Sequence, residues 1–297
     1  VNLKPKIIVV LGPTASGKSD LAVAIAQKFN GEVISADSRQ VYTGLDIGTG
    51  KISKKEMKGI PHHMLDVVSP KETFTAHDFK EQAEKIVEKI IENKKIPVIC
   101  GGTGFYIQTL VDNYVLPEVP PNKKLRKKLQ TKTPEELFLM LAQLDLKRAS
   151  TIDVDNPRRL IRAIEIATHL GSVPEIVKNP KYDALQIGIE TDDEPLKAKI
   201  IKRLNARLKK GMIKEAEKLH KDGLTWKRME ELGLEYRYLA RFLQKIITEQ
   251  EMIEHLGNEI WHYAKRQKTW FKRDERIKWF KLTQRKSIEK TVREFLE

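Results

Sequence analysis

The chain has 297 residues, 40% hydrophobic and 32% charged, a mix that excludes collagen-like and wholly disordered classes and gives length for about two domains. Fifty-five Lys and Arg against 41 Asp and Glu leave a net charge of +14, unusual for an enzyme of small metabolites and suited to a polyanionic partner. The single cysteine, Cys100, excludes an internal disulfide and sits in an apolar run where a small buried hydrophobe is expected. No apolar run approaches the ~20 residues of a bilayer span, and Val1–Lys6 lacks the apolar stretch of a signal peptide, so a cytoplasmic protein with no membrane partner is expected.

In chain order, Lys6–Leu11 is a continuous apolar run, as in a parallel strand covered on both faces. Leu21, Ala22, Ile25, Ala26 and Phe29 then recur at helical spacing through Lys18–Phe29. Glu32–Ala36 reads as a second strand, Phe79–Glu92 as an amphipathic helix and Ile96–Cys100 as a third buried strand. The alternation implies α/β architecture built on a doubly wound parallel sheet. Near Val115–Pro121 the prolines stop any helix or central strand, and from Asn122 to about Leu170 the pattern is helical. Leu185–Glu190 reads as a returning strand and Pro195–Phe271 as helical again. The expected organisation is therefore residues 1–118 as the first part of the core, 119–180 as a helical insertion, and 181–297 as the rest of the core with basic C-terminal helices.

Gly12-Pro13-Thr14-Ala15-Ser16-Gly17-Lys18-Ser19 matches the phosphate-loop pattern and lies between a buried strand and an amphipathic helix, the context its mechanism requires. Its backbone N–H groups and the helix N-terminus surround an anion, Lys18 adds positive charge, and the Ser19 hydroxyl can hold Mg²⁺. The loop does not say which bond breaks. A kinase moves a terminal phosphoryl group, whereas an enzyme with a diphosphate leaving group breaks carbon–oxygen; both need this cradle.

Asp37-Ser38-Arg39-Gln40 follows the second strand, placing a carboxylate in the ligand crevice of an open α/β sheet. Asp37 suits a Mg²⁺ ligand or an acceptor of a hydrogen bond or proton from substrate. Arg203 and Arg207, four apart, share a helix face from which both could reach a phosphate.

The blocks GPTASGKS, DSRQVYTGLDIGTGK, GIPHHMLD and GGTGFYIQ, followed by Asp155–Glu165 and Tyr263–Phe271, resemble the tRNA dimethylallyltransferase (tRNA isopentenyltransferase) family over nearly the whole chain. The resemblance implies transfer of a dimethylallyl group from its diphosphate to N6 of the adenosine immediately 3′ of the anticodon, with Mg²⁺ as cofactor. It implies a diphosphate site at Gly12–Ser19 with Arg207, and catalytic roles for Thr14, Lys18, Arg207 and Asp37, the last as base or hydrogen-bond acceptor for the attacking amine. It also implies tRNA contacts at Asp37, Ser38, Arg39, Gln40, Thr103, Arg126 and the segment Arg158, Arg159, Leu160, Ile161 and Arg162. One segment departs from the family pattern: Leu232-Gly233-Leu234-Glu235-Tyr236-Arg237 stands where a Gly-Tyr-Lys-Glu type is usual.

The residues agree with an RNA partner. Asn156 or Asp155 caps a helix that Pro157 opens, and Arg158, Arg159 and Arg162 crowd its first turns, where positive charge is unfavourable unless an anion docks there. Trp261, Tyr263, Trp270 and Phe271 alternate with Lys265, Arg266 and Lys268, a pattern suited to an anticodon loop, although at least two of these aromatics should be core. Lys265, Arg266, Gln267 and Trp270 are the expected tRNA contacts there. His62 and His63 fit no zinc spacing. A monomer is expected. The rival enzyme is a P-loop nucleotide or small-molecule kinase, which explains neither the charge nor the tail; a non-enzymatic RNA-binding protein with a relic loop is the rival of another class.

Overall fold

The computed structural model describes residues 4–297, and in it the run Lys6–Leu11 forms strand β1, with Ile7–Leu11 wholly buried. The other strands are β2 (Gly31–Ala36), β3 (His62–His63), β4 (Ile96–Gly101), β5 (Asp183–Glu190) and β6 (Ile277–Lys281). Among the described residues they make one six-stranded sheet in the order β3-β2-β4-β1-β5-β6, every pair parallel. Parallel neighbours require crossovers, and helices supply them. Helices α1 (Lys18–Lys28), α2 (Lys54–Met57), α3 (Ala76–Glu92) and α4 (Gly104–Val111) fall among the first strands. After them come α5 (Lys123–Leu129), α6 (Pro134–Leu144), α7 (Leu146–Ala149) and α8 (Pro157–Leu170). Helices α9 (Asp193–Lys209), α10 (Met212–Lys221), α11 (Trp226–Leu232), α12 (Leu234–Leu243) and α13 (Glu249–Phe271) lie between β5 and β6, and α14 (Arg285–Leu296) follows.

The two-residue period of a strand sorts β1 between two cores. Ile8 and Val10 pack with Leu21 and Ile25 of α1 and Ile288 and Val292 of α14. Ile7, Val9 and Leu11 pack with Phe79, Ala83 and Val87 of α3 and Ile107 and Leu110 of α4. Both faces are covered, which is why the run is continuously apolar rather than alternating. A third core joins Val41, Tyr42 and Leu45 to α9–α13.

The chain divides into two compact units, one comprising residues up to Asn113 with Pro180–Glu297, the other Tyr114–Asn179. Within the second, Leu129, Leu137, Leu141, Leu160, Ala163, Ile164 and Ala167 form the core of α5–α8. Local chemistry sets its helix starts. Thr133 and Glu136 make a reciprocal capping box with Pro134 in the first turn, and the Asn156 side chain accepts the Arg159 N–H ahead of Pro157.

Three elements differ from the sequence expectation. β6 lies inside the basic tail as an edge strand, with only Ile277 buried, so it carries no apolar run. β3 is two residues long and has no period to read. Helix α4 has Tyr106, Ile107, Thr109, Leu110 and Val111 all buried, which erases the amphipathic stripe.

Strand register levels the site-bearing loops. Leu11 and Ala36 both stand opposite Gly101, so the loops leaving β1, β2 and β4 emerge at one C-terminal sheet edge. This is the edge at which open parallel sheets bind ligands.

Candidate active site

The loop Gly12–Gly17 leaves β1 and opens α1. Ala15 (φ 62°) and Gly17 (φ 87°) take left-handed backbone, a pattern that turns successive N–H groups toward one side of the loop. At Gly17, the N-cap of α1, no side chain caps the helix, so its first N–H groups are left to a ligand. Lys18 Nζ donates back across the loop to the Pro13 carbonyl at 3.3 Å. Burial pushes the Lys18 ammonium below the ordinary lysine pKa, partly countered by Cys100 and Asp37. Cys100 faces the same cavity; burial raises its thiol to about 11, so it is neutral near pH 7 and no nucleophile.

Asp37 follows β2 and is fixed by its own turn. Its Oδ1 accepts the N–H groups of Arg39 at 2.9 Å and Gln40 at 3.3 Å, which leaves Oδ2 for a ligand. The Thr103 hydroxyl, after β4, accepts the Ser38 N–H at 3.0 Å and so ties the two strand-end loops together. One cavity is lined by Thr14, Lys18, Ser19, Asp37, Arg39, Gln40, Arg203, Tyr263 and Gln267. Burial and the nearby Asp37 carboxylate raise the Tyr263 phenol to about 12, so it remains a hydrogen-bond donor.

Several expected site residues do other work. Gln267, expected at RNA, is buried and bridges two loops: its carbonyl accepts the Thr14 N–H at 2.8 Å and its amide donates to the Gly102 carbonyl at 2.9 Å. The Thr14 N–H is consequently occupied by the protein, and Thr14 offers its side chain to the cavity. Arg207, expected on the diphosphate, is 8% exposed and donates to the Gly48 carbonyl and to Glu235, 2.9 Å away. It is not among the cavity-lining residues, whereas Arg203, one turn earlier on α9, is. A helix face was readable from the spacing; which arginine of that face is captured depends on Glu235 and Gly48, far away in sequence.

Leu160 and Ile161 are buried in the core of the helical unit, so their side chains pack there instead of facing RNA. Arg158 and Arg159 are exposed, with Arg159 3.2 Å from Asp153. Arg126 makes a two-pronged pair with Glu165 at 2.7 and 2.6 Å, and Arg162 reaches the same carboxylate at 3.2 Å. In α13, Lys265 and Arg266 are exposed over the rings of Trp261 and Tyr263, while Trp261 and Phe271 are core. Trp270 is half-buried, edge-on to Phe105 with ring centroids 6.5 Å apart. His63 pairs with Glu32 at 2.7 Å, and His62 shares a hydrogen bond with the Ile60 carbonyl at 2.9 Å. Sequence reasoning had both Arg203 and Arg207 within reach of a phosphate, and only Arg203 lines the cavity; it missed Tyr263 as a lining residue and Gln267 as a strut. The divergent segment has a structural explanation: Tyr236 is buried with its hydroxyl donating to Glu215 at 2.7 Å.

A phosphate-type loop and a carboxylate facing one cavity fit more than one chemistry, and comparison with known proteins narrows the choice. The family model described as IPP transferase matches residues 40–274. tRNA dimethylallyltransferase 2 of Treponema denticola is 42% identical over 279 residues, covering 92% of this chain and 93% of that protein. The tRNA dimethylallyltransferase of Anoxybacillus flavithermus is 38% identical over 297 residues, covering 98% and 95%. Among solved structures, the full-length tRNA isopentenylpyrophosphate transferase of Bacillus halodurans superposes with a TM-score of 0.76 at 32% identity, covering 99% of this chain and 97% of that one. A eukaryotic dimethylallyltransferase acting on tRNA gives 0.77 at 30% identity, covering 90% and 69%. Sequence blocks and near full-length similarity in sequence and structure converge, and the chain belongs to the IPP transferase family, that of the tRNA dimethylallyltransferases.

Proposed function

We propose that this enzyme transfers the dimethylallyl group of dimethylallyl diphosphate to N6 of the adenosine immediately 3′ of the anticodon in tRNA, releasing diphosphate. One observation carries the reading: Thr14, Lys18 and Ser19 of the anion-binding loop and the fixed carboxylate of Asp37 line the same cavity. The allylic carbon–oxygen bond breaks as the N6–carbon bond forms, so negative charge grows on the diphosphate while the amine becomes acidic. Lys18 and the N–H groups at the start of α1 meet the first change, and Asp37 Oδ2 accepts the proton of the second. Because Oδ1 is held by the Arg39 and Gln40 N–H groups, the accepting oxygen keeps its direction without a side-chain search. A base that must reach this cavity has to leave its stack in the anticodon loop.

The donor set suits Mg²⁺. Hydroxyls of Thr14 and Ser19 and the Asp37 carboxylate are hard oxygens, and Ser16 Oγ is buried in the loop without a protein partner. Ser19 would hold the ion, which when bound supplies further charge neutralisation to the diphosphate. For tRNA, the exposed Arg158, Arg159, Lys265 and Arg266 are the phosphate contacts of the proposal, and Arg39, Ser38, Gln40 and Thr103 lie at the cavity or support it.

The test is incubation of the protein with Mg²⁺, unmodified tRNA and radiolabelled dimethylallyl diphosphate, with γ-labelled ATP in a parallel tube, followed by nucleoside analysis. Label on adenosine is the expected result. Phosphate moving from ATP to a small acceptor, with no prenyl transfer, would replace this reading by the kinase.

A further inference from the structure

The segment that departs from the family pattern, Leu232–Arg237, reaches the cavity through a strained residue. Gly233 ends α11 at φ 74° and ψ −170°, a conformation open essentially to glycine alone. Leu234 follows at φ 38° and lines the cavity. A bulky side chain seldom holds left-handed backbone, and does so only where the surroundings over-determine it.

The next two residues supply that constraint. Glu235 is buried and accepts Arg207 Nη1 at 2.9 Å, and the buried Tyr236 donates its hydroxyl to Glu215 at 2.7 Å. Glu215 also accepts the backbone N–H groups of Asp46, Ile47 and Gly48. Tyr236 lies so close to this loop that a Cβ at Gly48 would stand 2.6 Å from its hydroxyl oxygen. The start of α12 is thus clamped to α9, α10 and the 46–48 loop, and Leu234 cannot relax its backbone without pulling those bonds apart.

The apolar lining of the cavity falls into two groups. Val33 and Cys100 stand on strands β2 and β4, and Cys100 is hydrogen-bonded to Ser19, which places this group beside the anion loop. Leu234, Ile52 and Ile260 are the rest. Helix α9 ties two of them together: Arg203 donates to the carbonyl of Gly50, two residues before Ile52, and Arg207 one turn on holds Glu235, next to Leu234. Ile260 lies one turn before Tyr263 on α13.

We infer that Leu234, with Ile52 and Ile260, walls the subsite for the donor's allylic chain and sets its length, so that a branched five-carbon chain fits and a ten-carbon chain is refused. This rests on the donor proposed above. Apolar contact rewards every added methylene, so a longer chain is refused only by a wall that does not yield. A leucine whose backbone is clamped in place is such a wall.

The experiment measures the affinity of the full-length protein, with Mg²⁺, for dimethylallyl diphosphate, geranyl diphosphate and inorganic pyrophosphate by calorimetry, then kcat/KM for both prenyl donors on unmodified tRNA. Wild type prefers the five-carbon donor by about fiftyfold or more. Leu234→Ala removes the wall, and Leu234→Gly removes it with a residue at ease at φ 38°, which protects the fold. Both variants narrow the preference about tenfold or more, chiefly by gaining the ten-carbon donor. Both bind pyrophosphate within about threefold of wild type, because it carries no chain to meet the wall. An unchanged preference in both variants, or a wild type indifferent to chain length, overturns the inference. So does a loss of pyrophosphate affinity as large as the change in prenyl affinity, which would make Leu234 a support of the anion loop. If the binding preferences follow the expected pattern while no prenyl group reaches tRNA, the wall stands and the transfer reading falls.

Discussion

Two charged clusters in this molecule have opposite designs. In the helical unit, Glu165 is buried and saturated: Arg126 takes both oxygens, Arg162 one of them, and the Asn122 N–H a fourth bond at 2.7 Å. In the α/β unit, the cavity holds Lys18, Arg203 and Asp37 Oδ2 with bonding capacity left over. A saturated cluster fixes α5 against α8. An unsaturated one has capacity left for a ligand, in this proposal the substrates, and its charges stay in place because backbone groups hold them.

Mutations should separate the two designs. The largest effect is at Asp37: Asp37→Ala lowers single-turnover prenyl transfer by at least about a hundredfold, with tRNA affinity within a few-fold by filter binding and a modest fall in melting temperature from the two turn hydrogen bonds lost at Oδ1. Lost affinity with intact transfer would sink the base assignment.

Glu165→Ala should do the reverse. It leaves two arginines without their carboxylate and destabilises the helical unit by about 2 kcal/mol, below the range for fully buried pairs because both arginines are partly exposed, as read by urea unfolding. Burial alone would raise the Glu165 pKa, but hydrogen bonds from Arg126, the Asn122 N–H and Arg162 outweigh it and hold the carboxyl below its ordinary 4.5. A folded value below the unfolded one means the stabilisation is complete above pH 4.5 and is lost as pH falls through the folded value. Wild type should therefore lose stability on acidification over that window, and Glu165→Gln should show a flatter profile.

A smaller effect is expected at Arg158, which is exposed and makes no ion pair among the described residues. Arg158→Glu weakens tRNA binding several-fold and reduces the slope of log affinity against log salt by about one or slightly more, without changing pyrophosphate affinity. An unchanged slope would remove this helix from the RNA interface.

How far the sequence carried depended on whether a feature was local. The anion loop and the position of Asp37 were legible because strand, loop and helix are contiguous and each announces itself by composition. Which of Arg203 and Arg207 lines the cavity was not, because Gly48 and Glu235, which hold Arg207, come from separate elements. Gln267 was read as an RNA contact for the same reason: its partners Thr14 and Gly102 lie at the other end of the chain. Arg126 and Glu165 look like ordinary helix-surface charges until α5 and α8 are packed together. β6 escaped notice because an edge strand with most side chains exposed has no apolar signature to show.

The central strand β1 pairs on one side with β4 and on the other with β5, whose Ala184 stands beside Ile7. The first of these six strands to be made therefore waits until β5, beginning at Asp183, has followed it before its second edge is closed. Such long-range pairing makes for slow folding, and a nascent chain ending before Asp183 would expose one edge of β1 to any passing strand. The proposed donor binding, which needs the loop leaving that strand, would then mark the end of folding and not its beginning.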